Sequence, residues 1–175
     1  MHKKNIFAIS GSLRWGSSNH AILQALSKMC PTDINYSIYN GLSEIPAFDP
    51  GLDDDNPPPA ILSLRKQLAD ADGIILCTPE YAYGVPGALK NALDWMVSSA
   101  SFSGKPTSLI TASTGGENAH KALIKILGAI DANLLKNATL LVSFIRSKMD
   151  ADGNIIDAET AQKLQSVFNA LLRSL

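Results

Sequence analysis

The sequence has few cysteines, almost no net charge and no long apolar run, and each scarcity excludes a class of protein. Only two of the 175 residues are cysteines, and no CxxC spacing accompanies Cys30 or Cys77. We therefore expect free thiols, with neither a metal site nor a disulfide. The 15 basic and 16 acidic residues give a formal net charge of −1. Because that balance leaves no broad cationic field, nucleic acid is not an expected partner.

The apolar runs are too short for a membrane span or a secretory leader. Runs such as 74–77 and 140–145 fall far below the roughly 20 residues that cross a bilayer. The N-terminal apolar stretch already ends at Ser10, whereas the core of a signal peptide needs about 7–15 apolar residues. We therefore expect a cytoplasmic protein without a membrane partner. A length of 175 residues with 46% hydrophobic side chains suits one domain over residues 1–175.

What the chain does contain is a regular alternation of short apolar runs and longer stretches with helical spacing. Strands are predicted at residues 6–9, 34–39, 73–77, 107–112 and 138–145. Between them, apolar residues recur every three or four positions, which predicts amphipathic helices, the last one capped by Asp157. Such alternation favours an α/β fold, one open parallel sheet with helices on both faces. Ligands of such sheets bind beyond the carboxyl ends of the strands.

One polar segment interrupts this pattern between the second strand and the following helix. Residues 46–59 contain three consecutive aspartates and three consecutive prolines. Prolines and aspartates of this density are typical of turns rather than of strands or helices. We therefore predict a surface loop in which the run Asp53–Asp55 is solvated.

The first loop, residues 10–19, runs from the first strand straight into a helix and is typical of an anion site. Its small residues allow backbone N–H groups, hydroxyls and the helix N-terminus to converge on a phosphate, and Arg14 adds a positively charged fork of donors. The dinucleotide fingerprint GxGxxG is absent, and Ser17 stands where the pattern GxxxxGK[ST] requires lysine. This donor set suits a terminal monophosphate. The alternative is an ordinary serine-rich capped turn.

The second and third loops follow the third and fourth predicted strands. The second loop, residues 78–87, carries Tyr81 and Tyr83 among prolines and glycines and offers a planar, partly apolar surface for a flat heteroaromatic ring. Alternatively, both tyrosines only anchor this loop by packing on the domain. The third loop, residues 112–118, is rich in hydroxyls and in glycines that permit close backbone approach. An ordinary turn would also contain such residues. The evidence for a ligand site is therefore that three such loops are predicted to lie at one edge of the sheet.

The residues of these loops resemble the NADPH-dependent FMN reductase family. The resemblance rests on Gly11-Ser12-Leu13-Arg14 with Ser17 and Asn19, on Pro79-Glu80-Tyr81, and on the run from Pro86 to Trp95. It implies a flavodoxin-like fold with a five-stranded parallel sheet of order 2-1-3-4-5. It also implies bound FMN, NADPH or NADH as electron donor, and a small-molecule acceptor such as a quinone, an azo compound, chromate or free flavin. Because FMN performs the hydride chemistry, no catalytic acid or base is expected.

The resemblance further implies which residues bind FMN. The phosphate side would be formed by Ser12, Arg14, Ser17, Ser18 and Asn19. The isoalloxazine would lie against Pro79, Glu80, Tyr81, Ala82, Tyr83 and Gly84. Its other edge would be closed by Ser113, Thr114, Gly115 and Gly116. Ala82 and Gly84 depart from the family pattern, which often has asparagine and serine there, so contacts at both positions would come from the backbone. Trp15 would wall the acceptor pocket or cover exposed surface.

A homodimer or homotetramer is also implied, because the family commonly associates through the helix that precedes Trp95. An exposed Trp95 beside Met96 and Val97 would suit such a face, although ordinary helix packing accounts for these residues equally well. The alternative function is that of a flavodoxin-type electron carrier without NAD(P)H turnover of its own. Such carriers are typically strongly acidic for docking to basic partners, whereas this chain is nearly neutral.

Overall fold

The fold was described from a computed structural model, which covers residues 3–175; Met1 and His2 lie outside this range. The strands are β1 (Lys4–Ser10), β2 (Ile34–Tyr39), β3 (Gly73–Thr78), β4 (Pro106–Ser113) and β5 (Asn133–Ser143). The helices are α1 (Ser18–Lys28), α2 (Pro59–Asp70), α3 (Gly87–Asp94), α4 (Glu117–Ala129) and α5 (Ala158–Leu172). All strand pairs are parallel, in the order β2-β1-β3-β4-β5. The expected five-stranded parallel sheet is therefore confirmed.

The sheet separates two apolar layers, and the alternation of side chains along each strand decides which layer a residue joins. In β1, Phe7 and Ile9 face the layer that contains α2, α3 and α4, whereas Ile6 and Ala8 face the layer with α1 and α5. Every residue of β3 is buried, as expected for a central parallel strand covered on both sides. This arrangement leaves the carboxyl ends of β1, β3 and β4 adjacent at one edge.

The predicted bounds of β2 and the predicted cap of α5 agree with the structure, whereas the predicted start of β5 does not. Strand β2 occupies the predicted residues, and Asp157 caps α5 by accepting a hydrogen bond from the Thr160 N–H at 2.8 Å. Strand β5 begins at Asn133 and not at the predicted residue 138, because Lys136 and Asn137 interrupt its apolar pattern and lie exposed at this sheet edge. The expected free thiols of Cys30 and Cys77 are confirmed.

The prediction of a solvated aspartate run in residues 46–59 is wrong for Asp53. This segment forms a short 3-10 turn at Pro50–Leu52, after which the Asp53 carboxylate binds the Arg65 guanidinium at 2.6 Å. Ser98 donates a second hydrogen bond to the same carboxylate at 2.9 Å. Burial raises the pKa of Asp53, but the hydrogen bonds from Arg65 and Ser98 outweigh that effect and hold the pKa below its usual value. The loop is therefore fastened to α2 by an ion pair.

Trp95 is buried, so the interpretation of an exposed dimer face on this tryptophan is wrong. The side chain is 0% exposed, and Met96 is 1% exposed. The indole N–H donates to the carbonyl of Pro46 at 2.9 Å, and the ring meets Phe48 edge-on at 5.1 Å. The loop that follows β2 thus covers the end of α3 and satisfies the polar atom of the indole. The alternative interpretation, ordinary helix packing, is confirmed for Trp95.

Among residues 3–175, no helix combines the length and apolar character that crossing a bilayer would require.

Gly11 lies where the chain leaves β1 and passes the end of β3. Its N–H donates to the carbonyl of Cys77 at 2.8 Å, and a Cβ at this position would lie 2.2 Å from the Thr78 Oγ1 atom. No side chain fits at such a distance. The contact therefore requires glycine and fixes the start of the first loop against β3.

We expect Gly11→Ala to lower the free energy of unfolding by about 1–3 kcal/mol, because the added methyl group overpacks a buried contact. Urea unfolding followed by circular dichroism measures this change. Gly128→Ala is the matched control: a Cβ there meets nothing within 4 Å, and alanine in a helix is favoured by about 0.5–1 kcal/mol. Equal stability of Gly11→Ala and the parent chain would show that this approach is not tight.

Candidate functional site

The three predicted loops enclose one cleft of about 270 Å³ at the carboxyl edge of the sheet. They come together because β1, β3 and β4 are neighbouring parallel strands. We call this space the cofactor cleft. Of the residues predicted for the site, it is lined by Ser12, Arg14, Ser17, Ser18, Asn19, Pro79, Glu80, Tyr81, Ser113 and Thr114.

The remaining predicted residues do not line the cofactor cleft. Ala82, Tyr83 and Gly84 form an exposed turn beyond Tyr81. Gly115 and Gly116 belong to the turn that leads into α4, and Gly116 is buried with a φ of 119°. A Cβ on Gly116 would lie 2.8 Å from Leu141. This glycine is therefore required by the path of the chain.

The N-terminus of α1 forms the anion-binding end of the cofactor cleft. Ser17 caps the helix, its hydroxyl accepting a hydrogen bond from the His20 N–H at 3.2 Å. The first turn of α1 contains no acidic residue, so its partial positive charge is not neutralised locally. The exposed Arg14 side chain lines the same space and forms no ion pair within residues 3–175.

Arg146 is a residue of this site that the sequence analysis missed. It lines the cofactor cleft together with Arg14 and Ser18, and within the described part of the chain its guanidinium forms no ion pair. It follows β5. Between the strand and Arg146, the backbone is left-handed at Phe144, which has a φ of 55°. The sequence did contain a signal, because any residue just after a parallel strand lies at the same edge as the other three loops.

Asn19 is buried, and its amide connects α1 to the ends of two strands. Its Nδ2 donates to the carbonyl of Ala112 at 3.2 Å, and its Oδ1 accepts from the Cys77 thiol at 3.4 Å. Burial raises the pKa of Cys77, so this thiol keeps the proton that it donates. Both polar atoms of Asn19 are thus used to position the helix N-terminus.

The tyrosines of the second loop are not packed anchors. Tyr81 is 53% exposed and Tyr83 is 83% exposed, which contradicts the alternative that both pack on the domain. The Tyr81 hydroxyl lies 3.3 Å from the Ser12 Oγ atom. This contact joins the first and second loops across the mouth of the cofactor cleft and leaves the Tyr83 ring free in solvent.

The turn that carries these tyrosines has a strained backbone. Tyr81 and Gly84 exchange two backbone hydrogen bonds, of 3.0 and 2.9 Å. The residues between them, Ala82 and Tyr83, have φ angles of 47° and 60°. Two consecutive left-handed residues define a type I′ turn, for which asparagine, aspartate and glycine are favoured. Left-handed backbone costs roughly 1–2 kcal/mol for a residue with a side chain, and such strain clusters at functional sites.

Glu80 directs its carboxylate away from the centre of the cofactor cleft and toward α4. Its Oε2 atom accepts a hydrogen bond from the Ala119 N–H at 2.8 Å, and its own N–H donates to the Ser113 Oγ at 3.2 Å. The hydrogen bond from Ala119, aided by contacts with Asn118 and Gly116, lowers the pKa of Glu80. A negative charge at a helix N-terminus is stabilised by the helix dipole. Glu80 therefore positions the second loop against the third.

Comparison with known proteins assigns the family. Residues 4–146 match the family model of NADPH-dependent FMN reductase. The chain belongs to the NADPH-dependent FMN reductase family. The oxidoreductase class, FMN and the nicotinamide nucleotide that the resemblance implied are thereby confirmed for the family. The family assignment also accounts for the position of a helix N-terminus beside a cleft that is lined by several hydroxyls.

Individual members of this FMN reductase family are similar to the chain over nearly their whole length. The quinone reductase of Escherichia coli K12 is 32% identical to this chain in an alignment that covers 96% of this chain and 93% of the relative. An NAD(P)H-dependent FMN reductase of Pseudomonas aeruginosa is 33% identical over 171 residues, covering 95% and 92%. Among solved structures, the flavoenzyme NAD(P)H:(acceptor) oxidoreductase FerB of Paracoccus denitrificans has a TM-score of 0.83 at 27% identity, covering 97% and 96%.

The depressed pKa of Glu80 predicts a pH-dependent contribution to stability. Because the pKa is lower in the folded state, this contribution is present above the ordinary value of 4.5 and is lost as the pH falls through the folded value. We expect Glu80→Gln to lower the free energy of unfolding by about 1 kcal/mol at pH 7, the size of a helix-cap contact. The difference from the parent chain should shrink as the pH falls below the ordinary value of 4.5 and is lost below the folded-state pKa.

Urea unfolding between pH 3 and pH 7 measures this difference. Glu117→Gln is the control, because Glu117 is exposed in the first turn of the same helix and forms none of the contacts of Glu80. A difference between Glu80→Gln and the parent chain that stays constant with pH would contradict the role given to the Glu80 carboxylate.

Proposed function

We propose that this chain binds FMN in the cofactor cleft and uses it to transfer electrons from NADPH or NADH to a quinone. The observation that supports this most strongly is the anion-binding end of the cleft. There the capped N-terminus of α1 and two arginines, which form no ion pair within residues 3–175, lie beside a space lined by several hydroxyls. FMN would supply the hydride chemistry when bound, and the protein's residues would bind it, orient it and limit the access of water.

The donors at the phosphate end fit a dianionic monophosphate. Backbone N–H groups at a helix N-terminus favour anions, and Ser17 and Ser18 add hydroxyls. Arg14 approaches from the first loop, whereas Arg146 approaches from the chain after β5. Guanidinium groups form charge-assisted, often bidentate, hydrogen bonds with phosphate. The charge of the ligand would therefore be met locally, which agrees with a chain whose overall net charge is only −1.

The exposed turn beyond Tyr81 does not line the cofactor cleft, but it would offer backbone donors and aromatic surface beside its ring end. The N–H groups of Ala82 and Tyr83 have no hydrogen-bond partner within residues 3–175. They are available to the polar edge of a flat heteroaromatic ring. Ser113 and Thr114 lie opposite, on the third loop. Glu80 would position the second loop, because its carboxylate is held by α4 and its N–H by Ser113. The predicted cofactor contacts, including those from Ala82, Tyr83, Gly84, Gly115 and Gly116, stay predictions.

A quinone is the proposed acceptor because the Escherichia coli relative is named a quinone reductase. Azo compounds, chromate and free flavin stay predictions. The expected homodimer or homotetramer also stays a prediction, and it no longer has an exposed Trp95 to support it. Of the three residues first considered for that face, only Val97 is exposed.

Steady-state kinetics of the FMN-loaded protein test the proposed function. NADPH and NADH oxidation is followed by absorbance with a benzoquinone as acceptor, and we expect turnover that depends on both substrates. A flavodoxin-type carrier would bind FMN but would not turn over by itself. A colourless protein that neither quenches the fluorescence of added FMN nor oxidises NAD(P)H would contradict both the site and the activity.

We expect Arg146→Ala to weaken FMN binding by roughly ten- to a hundredfold, because a hydrogen bond to a charged group contributes about 1.5–3 kcal/mol. Flavin fluorescence titration measures the dissociation constant. Riboflavin lacks the phosphate, so its weaker binding should be the same in Arg146→Ala and in the parent chain. Arg173→Ala, at the exposed end of α5, serves as the control variant. An equal loss for FMN and riboflavin would show that Arg146 does not act on the phosphate.

A further inference from the structure

A second cleft of about 370 Å³ lies on the other side of the first loop. It is formed by the first loop, α1 and the chain at the end of β2. Ser12 and Arg14 line both this second cleft and the cofactor cleft, so only this short piece of backbone separates the two spaces. The walls that the second cleft does not share include Trp15, His20, Gln24, Tyr39, Asn40 and Ser43.

Trp15 presents an open aromatic face to this cleft. The side chain is 80% exposed. Within the described part of the chain, its ring contacts that of His20, with centroids 4.6 Å apart at an interplanar angle of 43°. That tilted contact steadies the indole without covering it. An exposed, steadied indole is a surface on which a flat heterocycle can stack.

The polar lining of the second cleft suits a nucleoside that carries a negative charge. Gln24, Asn40 and Ser43 offer amide and hydroxyl groups that can both donate and accept hydrogen bonds, as the edge of a purine requires. The lining residues include no aspartate or glutamate, and Arg14 is the cation among them. A neutral apolar compound would leave these polar groups without partners, whereas an adenosine phosphate would use both the indole and the guanidinium.

The position of the second cleft relative to the cofactor cleft indicates which part of the electron donor it could bind. None of the residues predicted to contact the isoalloxazine lines it, so it is set apart from the proposed ring position by residues 12–14. A nicotinamide that reaches the flavin must leave the rest of its dinucleotide on neighbouring surface. The second cleft adjoins the cofactor cleft at Ser12 and Arg14 and has an aromatic wall, so it is the neighbouring surface that could receive this remainder.

We propose that the second cleft binds the adenosine phosphate half of the nicotinamide donor, with the adenine stacked on Trp15. This inference rests on the proposed function and deepens it, because it gives the electron donor a protein site of its own beside the flavin. Trp15 then determines donor affinity and takes no part in the transfer of electrons.

Two electron donors that differ only in the adenosine half test this assignment. We expect Trp15→Ala to raise the KM for NADPH by roughly five- to a hundredfold, the range found when an aromatic partner of a stacked base is removed. Reduced nicotinamide mononucleotide lacks the adenosine, so its KM should be the same in Trp15→Ala and in the parent enzyme. Trp15→Phe keeps an aromatic face and should recover most of the NADPH affinity.

A binding measurement complements the kinetics and does not depend on turnover. The probe is 2′,5′-ADP, titrated into the FMN-loaded protein while tryptophan fluorescence is recorded. The chain has two tryptophans, and Trp95 is 0% exposed, so a change in fluorescence on titration reports Trp15. We expect a saturable change in the parent protein and none in Trp15→Phe, whose affinity for the probe is then measured by calorimetry.

The outcomes separate this inference from the proposed function. If FMN binding and quinone turnover are present but Trp15→Ala leaves the KM for NADPH unchanged, the adenosine site is wrong and the reductase function stands. If Trp15→Ala impairs NADPH and reduced nicotinamide mononucleotide equally, or raises only the KM for the quinone, Trp15 belongs to the acceptor pocket and the inference is overturned. Because Trp15 is exposed, unchanged flavin binding in Trp15→Ala verifies that the site is intact.

Discussion

The site depends on the close approach of the first loop to the end of β3. Gly11 has no side chain and can therefore donate its N–H to Cys77 while passing Thr78 at a distance that no Cβ permits. Asn19 then ties the start of α1 to both β3 and β4 through buried polar contacts. Buried hydrogen bonds of this kind fix geometry, because breaking one leaves a desolvated group without a partner. The helix N-terminus is thus held at the sheet edge before any ligand binds.

This fixed edge explains how a nearly neutral protein can provide an anion site. The 15 basic and 16 acidic residues almost cancel over the whole chain, yet Arg14 and Arg146 face the same cleft without an acidic partner in the described residues. The nearest carboxylate of the second loop, that of Glu80, is bound by the N-terminus of α4. Withdrawing that negative charge from the cleft leaves the field of α1 and the two arginines uncompensated. Local arrangement, and not net charge, therefore determines the ligand.

The sequence was sufficient for the sheet and for the location of the site, since both depend on local patterns. Alternating apolar runs predicted the five strands, and the three loops that follow β1, β3 and β4 contain most of the cleft. The directions of individual side chains were not predictable, because they depend on contacts between distant segments. Glu80 turns toward Ala119, and Trp95 is covered by Pro46 and Phe48. Arg146 was missed because only the loops after β1, β3 and β4 were considered, whereas this residue follows β5, which was predicted to end at residue 145.

The strained turn at Ala82 and Tyr83 differs from the rest of the site, because nothing in the packing of the domain requires it. Both residues are exposed and left-handed, and the paired hydrogen bonds between Tyr81 and Gly84 hold the ends of the turn together. A relaxed turn would bend these residues differently and would redirect their two unpartnered N–H groups. An asparagine at position 82 would adopt this backbone more easily, yet it would add a side-chain amide at the mouth of the cleft. Alanine has no such amide and leaves that space open. The strained backbone at position 82 is therefore accompanied by a wider approach to the ring end of the site.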